Sequence, residues 1–314
     1  MQTSIEIIKE IEAMRVKGAY LNAVQALEAL KLLAIEGIND PADELKQKIL
    51  TASQRLSNAN PSWSVVETAC LFATQPLLES GSKYNSEAIA GLIDRRGKAF
   101  ADRMTWAQNE VGQVGANLIS DGSVVLVMSY SATLIEIINT AWDLGKRFSV
   151  IGTESRPKGE GRVMAEILVK KGIPYTLITD PAQPYFVPRG TVALVGVDTL
   201  MASGAVVNKV GTMNLALACH FYGKPLYAAT STFKMSMPSL KGEEVKLKIV
   251  EDIGDIAPER LLIQPNFKVE NIFFEKTPAA LFEGLITEYG IHHPAAARGL
   301  WEQTWQTLNK DVCE

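Results

Sequence analysis

The sequence predicts an α/β fold in which a helical N-terminal part is followed by a doubly wound, mainly parallel sheet. In the first part, apolar residues such as Ile5, Ile8 and Ile11 recur at helical spacing. Beyond about residue 120, short apolar runs alternate with amphipathic helices, which is typical of right-handed parallel crossovers. This change predicts a helical domain over residues 1–115 and a sheet domain over residues 116–314.

The same periodicities predict the individual elements. The predicted helices of the first part are 5–14, 19–34, 43–56, 62–78 and 86–120. The predicted strands of the second part are 124–128, 148–152, 175–179, 192–197, 225–229 and 271–274, and its predicted helices are 133–144, 161–171 and 212–222. Because the run 192–197 is apolar and rich in β-branched residues, we expect it to be a central strand.

Composition excludes several classes of protein. The chain has 314 residues, of which 47% are hydrophobic and 21% charged, and its net charge is −4. No apolar run approaches the length of a membrane span and the N-terminus lacks a signal pattern, so we expect a cytoplasmic protein. The slightly acidic balance argues against nucleic acid as the main ligand. Cys70, Cys219 and Cys313 lack metal or disulfide spacing, and we expect neither a metal site nor a cofactor.

Polar side chains follow each of the first four predicted strands. The residues at these ends are Ser129, Tyr130 and Ser131; Glu154, Ser155 and Arg156; Thr179 and Asp180; and Asp198. Because parallel strands present their carboxyl ends at one edge of a sheet, these side chains are expected to share the edge where ligands bind. A structural interpretation stays open for each of them, since such residues also form turns, helix caps and surface ion pairs.

A second polar group precedes the last predicted helix of the sheet domain. Asn208 and Lys209 come shortly before the helix 212–222, whose free N–H groups are expected to attract phosphate. Together with Asp198 they supply one amide, one cation and one acid. The combination predicts a site for an anionic ligand that carries hydroxyl groups.

These residues also carry a family resemblance. Glu154-Ser155-Arg156-Pro157, Gly196-Val197-Asp198 and Asn208-Lys209-Val210-Gly211-Thr212 resemble motifs of one family. That family joins the alpha, beta and delta subunits of eukaryotic initiation factor 2B to methylthioribose-1-phosphate isomerase and ribose-1,5-bisphosphate isomerase. Lys17-Gly18-Ala19 is similar to its Arg-Gly-Ala phosphate loop. The resemblance implies a helical domain followed by a Rossmann-like domain, and assembly into homodimers or higher oligomers.

Departures from the family pattern bear on catalysis. Where the isomerases carry a catalytic Cys followed by Asn, this chain has Ser129 and Tyr130. A hydroxyl has a far higher pKa than a thiol and exchanges protons poorly at neutral pH without a dedicated base. The family's Arg-Pro-Thr element reads Asn60-Pro61-Ser62, so a guanidinium that could bind phosphate is missing. The sequence therefore favours a pocket that binds without catalysing.

Three functions stay open at this point. The first is an initiation factor 2B-like protein that binds a sugar phosphate or a nucleotide in a regulatory or assembly role. The second is an aldose–ketose isomerase of a phosphorylated sugar, with Asp198 as general base and Ser129, Tyr130 or a bound water as acid. The third is a structural subunit of a translation complex, with translation-factor subunits as partners and a vestigial pocket.

The first hypothesis assigns a role to most of the polar residues. Lys17, Gly18 and Ala19 would bind phosphate, Arg156 and Lys209 would neutralise charge, and Asp198 and Asn208 would contact sugar hydroxyls. Ser129, Tyr130, Ser131, Glu154 and Ser155 complete the predicted ligand-binding set. The Lys- and Met-rich segment 234–246 is interpreted as a mobile loop near the pocket or the dimer seam.

Overall fold

Within the described residues, the N-terminal part of the chain is helical, as predicted. The computed structural model describes residues 2–13, 15, 18–60, 62–79, 84–245, 247 and 257–312. Its first helices are α1 (Ser4–Glu12), α2 (Ala19–Glu36), α3 (Ala42–Asn58), α4 (Ser64–Leu78) and α5 (Ser86–Ala116). Helix α1 begins with a capping box between Thr3 and Glu6, in which each side chain binds the other residue's backbone N–H. None of the described helices is both long and apolar enough to cross a membrane.

The second part contains the predicted parallel sheet. The strands are β1 (Val124–Met128), β2 (Ser149–Thr153), β3 (Tyr175–Ile178), β4 (Val192–Gly196), β5 (Thr199–Leu200), β6 (Val206–Lys209), β7 (Leu226–Ala229), β8 (Phe274–Thr277), β9 (Gly284–Thr287) and β10 (Gly290–His292). Seven of the described strands form one sheet in the order β10-β9-β7-β4-β1-β2-β3. Every pairing in it is parallel except β9–β10. The doubly wound, mainly parallel fold is confirmed.

Helices connect and flank these strands. They are α6 (Ala132–Asp143), α7 (Glu160–Lys170), α8 (Gln183–Phe186), α9 (Thr212–Phe221), α10 (Met237–Leu240), α11 (Glu259–Leu262) and α12 (Ala297–Asp311). Strand β4 lies between β1 and β7 and is buried along its whole length, which confirms the expected central strand. Since the strands run parallel, β1 and β4 end side by side at one edge of the sheet, with Met128 paired with Val195.

The sequence interpretation missed a small second sheet. Three of the described strands, in the order β5-β6-β8, form an antiparallel sheet. The strand predicted at 271–274 was therefore wrong in two ways. The observed strand β8 begins at Phe274, and it belongs to the second sheet, where it pairs with β6. Strand β5 has only two residues, too few for a periodic pattern to reveal, and β6 pairs with β8, a segment far away in the sequence.

The helical part and the sheet part share packed side chains. Phe233, which follows β7, is fully buried in the helical cluster and meets the ring of Phe100 edge-on at 5.1 Å. From α12, Trp305 contacts Phe72 of α4 at 5.7 Å between ring centroids. The division into domains at residues 115 and 116 stays a prediction, and it falls one residue before the end of α5.

Candidate functional site

A pocket that is partly open to solvent lies where the carboxyl ends of β1 and β4 face the helical part. The residues lining it are Gly18, Ala19, Tyr20, Val65, Met104, Gln108, Val111, Tyr130, Ser131, Ala132, Thr133, Gly196, Val197, Asp198, Asn208, Ser231 and Lys234. Six of the residues predicted for ligand binding are among them, namely Gly18, Ala19, Tyr130, Ser131, Asp198 and Asn208. The structure therefore brings the first and fourth strand ends together with the N-terminus of α2.

The ends of the second and third strands bind each other. The carboxylate of Asp180 accepts hydrogen bonds from the backbone N–H groups of Ser155 at 2.8 Å and Arg156 at 2.7 Å. The Ser155 hydroxyl oxygen in turn accepts from the Ser129 N–H at 2.8 Å. Ser129 and Ser155 have φ angles of 63° and 61°, in the left-handed region that non-glycine residues seldom adopt. These contacts fix the shape of the loops beside the pocket.

The remaining predicted residues make other contacts or lie outside the described part of the chain. Glu154 pairs with Arg162 of α7 at 2.5 Å. Lys209 is buried, and its ammonium group lies 2.8 Å from a carboxylate oxygen of Glu160. Thus part of the Lys209 charge is already balanced by the protein itself. Lys17 lies outside the described residues, so its predicted role in phosphate binding stays a prediction.

Asp198 is the acid of the pocket, and the protein alters its ionisation. The residue follows β4 and is partly buried. Burial raises the pKa of its carboxyl from 3.8 to about 6, although Lys234 and Lys209 act in the opposite direction. A carboxylate that is costly to ionise and lies in a pocket is a candidate functional group.

Lys234 is a pocket residue that the sequence interpretation missed. Its ammonium group donates a hydrogen bond to the carbonyl oxygen of Val197 at 2.6 Å, next to Asp198 in the chain. The expected loop from residue 234 was wrong in its first part, because Thr232–Lys234 forms a 3-10 turn and Met237–Leu240 forms α10. Lys234 could have been found from the polar residues that follow the predicted strand 225–229. That strand ends at the same edge of the sheet as the others, so the residues after it are candidates for the pocket.

The helix expected to bind phosphate has a different partner. The backbone N–H groups of Gly211 and Met213 at the start of α9 donate to a carboxylate oxygen of Glu275, at 2.7 and 2.8 Å. The expectation of free N–H groups before residue 212 is therefore corrected, because a carboxylate from β8 caps this helix.

Two other helix N-termini face the pocket instead. Gly18 directly precedes helix α2, has no side chain to cap it, and has a φ of 93° that suits glycine. The side-chain amide of Asn22 donates to the Gly18 carbonyl oxygen at 2.7 Å and holds this turn. Helix α6 begins in the pocket wall with Ser131, Ala132 and Thr133. Since helix N-termini carry partial positive charge, both ends favour an anion in the pocket.

Comparison with known proteins agrees with the motifs. The sequence profile of the initiation factor 2 subunit family matches residues 15–294. This chain belongs to that family. The resemblance inferred from the motifs is thereby confirmed.

Family members with different names are similar to this chain. A Pyrococcus horikoshii protein named translation initiation factor eIF-2B subunit 2-like is 36% identical over 292 residues, which cover 92% of this chain and 96% of the relative. Ribose 1,5-bisphosphate isomerase of Archaeoglobus fulgidus is 33% identical over 297 residues, which cover 95% of this chain and 92% of the relative. The crystal structure of Pyrococcus horikoshii OT3 translation initiation factor eIF-2B aligns with a TM-score of 0.79 and 34% identity, over 93% of this chain and 97% of that one.

The raised pKa of Asp198 predicts how pH changes the stability of this family member. The folded carboxyl titrates near pH 6 and the unfolded one near its ordinary 3.8, so between these values the folded state binds more protons. The contribution of Asp198 to wild-type stability should therefore fall as pH rises from 4 to 6 and level off above pH 6. Asp198→Asn lacks this titration. The difference between the free energy of unfolding of the variant and that of wild type should therefore shift in favour of the variant by about 2–3 kcal/mol from pH 4 to pH 8. Urea denaturation at three pH values measures this, and a constant difference would contradict it.

Gly161 allows α7 to approach the end of β2. A Cβ atom at this position would lie 1.8 Å from the carbonyl oxygen of Thr153, which is backbone and moves little. We expect Gly161→Ala to lower the free energy of unfolding by about 1–3 kcal/mol, as overpacking does. The control is Gly299→Ala in α12, where a Cβ meets nothing within 4 Å. That change should raise stability by up to about 1 kcal/mol, and a gain in both variants would refute the close-approach argument.

Proposed function

We propose that this protein is an eIF-2B-like family member that binds a sugar phosphate or a nucleotide in the pocket, in a regulatory or assembly role in the cytoplasm. The observation that carries the proposal is the convergence of the N-termini of α2 and α6 with the ammonium group of Lys234 on one pocket. These groups favour an anion, while Asp198 and Asn208 on the same wall can bind hydroxyl groups. A phosphorylated sugar carries both features.

Each predicted binding residue has a place in this proposal. Gly18 and Ala19, together with Lys17, would contact the phosphate through backbone N–H groups and charge. Asp198 would accept from a sugar hydroxyl, and the Asn208 side chain, whose amide also donates to Thr212 at 3.0 Å, would accept from another. Because Glu160 already pairs with Lys209, Lys234 would supply much of the positive charge in the pocket.

Several residues would act less directly. Tyr130 and Ser131 would contact the ligand from the end of β1. Glu154, Ser155 and Arg156 would shape the neighbouring loop, and Arg156 would also attract the anion from its rim. Ser129 would support the loop through its N–H bond to Ser155 rather than act as an acid, since a serine hydroxyl is too weak an acid to release its proton readily near neutral pH.

An aldose–ketose isomerase is the second candidate, and the environment of Asp198 favours it. A carboxyl whose pKa is about 6 is suited to general-base catalysis near neutral pH. The similarity to a ribose 1,5-bisphosphate isomerase over most of the chain points in the same direction. Against it, the position of the isomerases' thiol carries Ser129. A purely structural translation-complex subunit is the third candidate, and it would tolerate loss of every pocket side chain.

A thermal-shift screen with phosphosugars and nucleoside monophosphates tests the binding proposal. A ligand at 100 times its dissociation constant adds about 2.7 kcal/mol to the stability of the native state. For a chain of 314 residues we expect a rise in Tm of roughly 4 °C. The absence of a shift with all of these compounds would instead support a vestigial pocket.

The family resemblance also predicts a homodimer built through the sheet domain. An obligate interface with twofold symmetry is expected to bury about 2,000 Å² or more. Light scattering at micromolar concentration should therefore report twice the chain mass of 34.2 kDa. A monomer under these conditions would contradict the prediction, whereas a larger even-numbered assembly would extend it.

A further inference from the structure

Glu288 is a buried carboxylate that does not line the described pocket. It directly follows β9 and is only 6% exposed. Its two oxygens accept from the backbone N–H of Thr232 at 3.2 and 3.1 Å, and one of them also accepts from the Thr232 hydroxyl. A buried carboxylate needs such donors, because water cannot reach it. Thr232 thus supplies both a backbone and a side-chain donor.

Thr232 begins the turn that carries two pocket residues. It is the first residue of the 3-10 turn Thr232–Lys234, and Ser231 and Lys234 on either side of it line the pocket. The far end of the turn is held from α4, where the Ser64 hydroxyl donates to the Lys234 carbonyl oxygen at 2.5 Å. Glu288 therefore fixes the near end of a turn whose far end is already anchored.

A third element supports the same threonine. The Thr304 hydroxyl of α12 lies 2.6 Å from the Thr232 hydroxyl, and the Tyr289 hydroxyl lies 3.1 Å from Thr304. Because the single hydroxyl proton of Thr232 is donated to Glu288, Thr232 is the acceptor toward Thr304, whose own proton is shared with the Leu300 carbonyl oxygen at 3.1 Å. The Thr232 hydroxyl is thus held between two partners, Glu288 and Thr304, which fix the orientation of its side chain.

We propose that Glu288 is a positioning residue of the pocket, which acts through Thr232 to hold the ammonium group of Lys234 beside Asp198. Its consequence for ligand affinity rests on the proposed binding function. The placement of Lys234 itself is a property of the unliganded chain and can be measured without a ligand.

Competitive acylation with acetic anhydride over a pH series measures that placement. Burial lowers the pKa of Lys234, while Asp198 is the charged group that raises it. Mass spectrometry gives the pH midpoint of labelling for Lys234, with the exposed Lys241 as internal reference. In Glu288→Gln and in Thr232→Val the midpoint of Lys234 should rise, because a displaced ammonium group is less buried. Thr232→Ser keeps the hydroxyl and should keep the wild-type midpoint.

Calorimetry with ribose 5-phosphate forms the second arm. We expect at least tenfold weaker binding in Glu288→Gln and Thr232→Val, and wild-type affinity in Thr232→Ser. If Glu288→Gln does not fold, Glu288→Asp replaces it, because the shorter side chain withdraws the carboxylate from Thr232 and should raise the midpoint likewise.

The two arms separate the possible failures. An unchanged Lys234 midpoint in the folded variants, even with a lower Tm, would overturn the inference and leave Glu288 a structural residue only. A raised midpoint together with no binding of ribose 5-phosphate by the wild type would support the positioning role and count against the proposed function for that ligand.

Discussion

Asp198→Asn should keep the fold and weaken the binding of a sugar phosphate tenfold to a hundredfold. The amide preserves the shape of the side chain but loses a charged acceptor, and a hydrogen bond to a charged group contributes about 1.5–3 kcal/mol. The loss also leaves Lys234 beside Val197 without its neighbouring negative charge. Isothermal titration calorimetry on wild type and variant gives the ratio of dissociation constants.

The matched control for this experiment is Asp143→Asn. Asp143 pairs with Lys171 at 2.6 Å on the surface, and its side chain is 64% exposed. The same chemical change there should leave affinity within about twofold, since exposed ion pairs contribute little. Equal affinity of Asp198→Asn and wild type would remove Asp198 from the binding site.

Phe233→Ala should be among the most destabilising single changes in the chain. The ring is fully buried, packs edge-on against Phe100 at 5.1 Å, and lies in the helical cluster although Phe233 follows a sheet strand. Removing a buried phenyl ring costs about 3–5 kcal/mol. Chemical denaturation followed by circular dichroism measures the change in the free energy of unfolding.

Phe221→Ala provides the comparison for that change. Phe221 at the end of α9 is 79% exposed, so truncation should change stability by less than about 0.5 kcal/mol. If this control is destabilised in an oligomer as strongly as Phe233→Ala, Phe221 belongs to a subunit interface. If Phe233→Ala is neutral, the helical and sheet parts do not depend on this contact.

Long periodic segments allowed the fold to be predicted from the sequence. Helices α2 to α5 and strands β1 to β4 each present a regular apolar pattern, and they lie close to the predicted ranges. The strands of the second sheet could not be found in this way, because β5 spans two residues and the pairing of β6 with β8 joins segments far apart in sequence. Apolar periodicity describes burial of one face and contains no information on the pairing partner.

The site was predictable where topology alone decides the location. Asp198 and Tyr130 follow neighbouring parallel strands, so their meeting at one edge could be expected. Contacts of individual side chains could not be predicted from the sequence. The capping of α9 by Glu275 and the pairing of Lys209 with Glu160 depend on tertiary packing. Lys234 was missed because its segment resembled a flexible loop in composition.

The most direct test of binding without catalysis is an aldose-to-ketose assay combined with calorimetry on the unmutated protein. We expect measurable affinity for a phosphorylated sugar or a nucleotide and no conversion of ribose 1,5-bisphosphate or methylthioribose 1-phosphate to the ketose. Turnover of either compound that is lost in both Asp198→Asn and Ser129→Ala would contradict it and establish an isomerase, because a general base and its acid partner act mainly in the transition state.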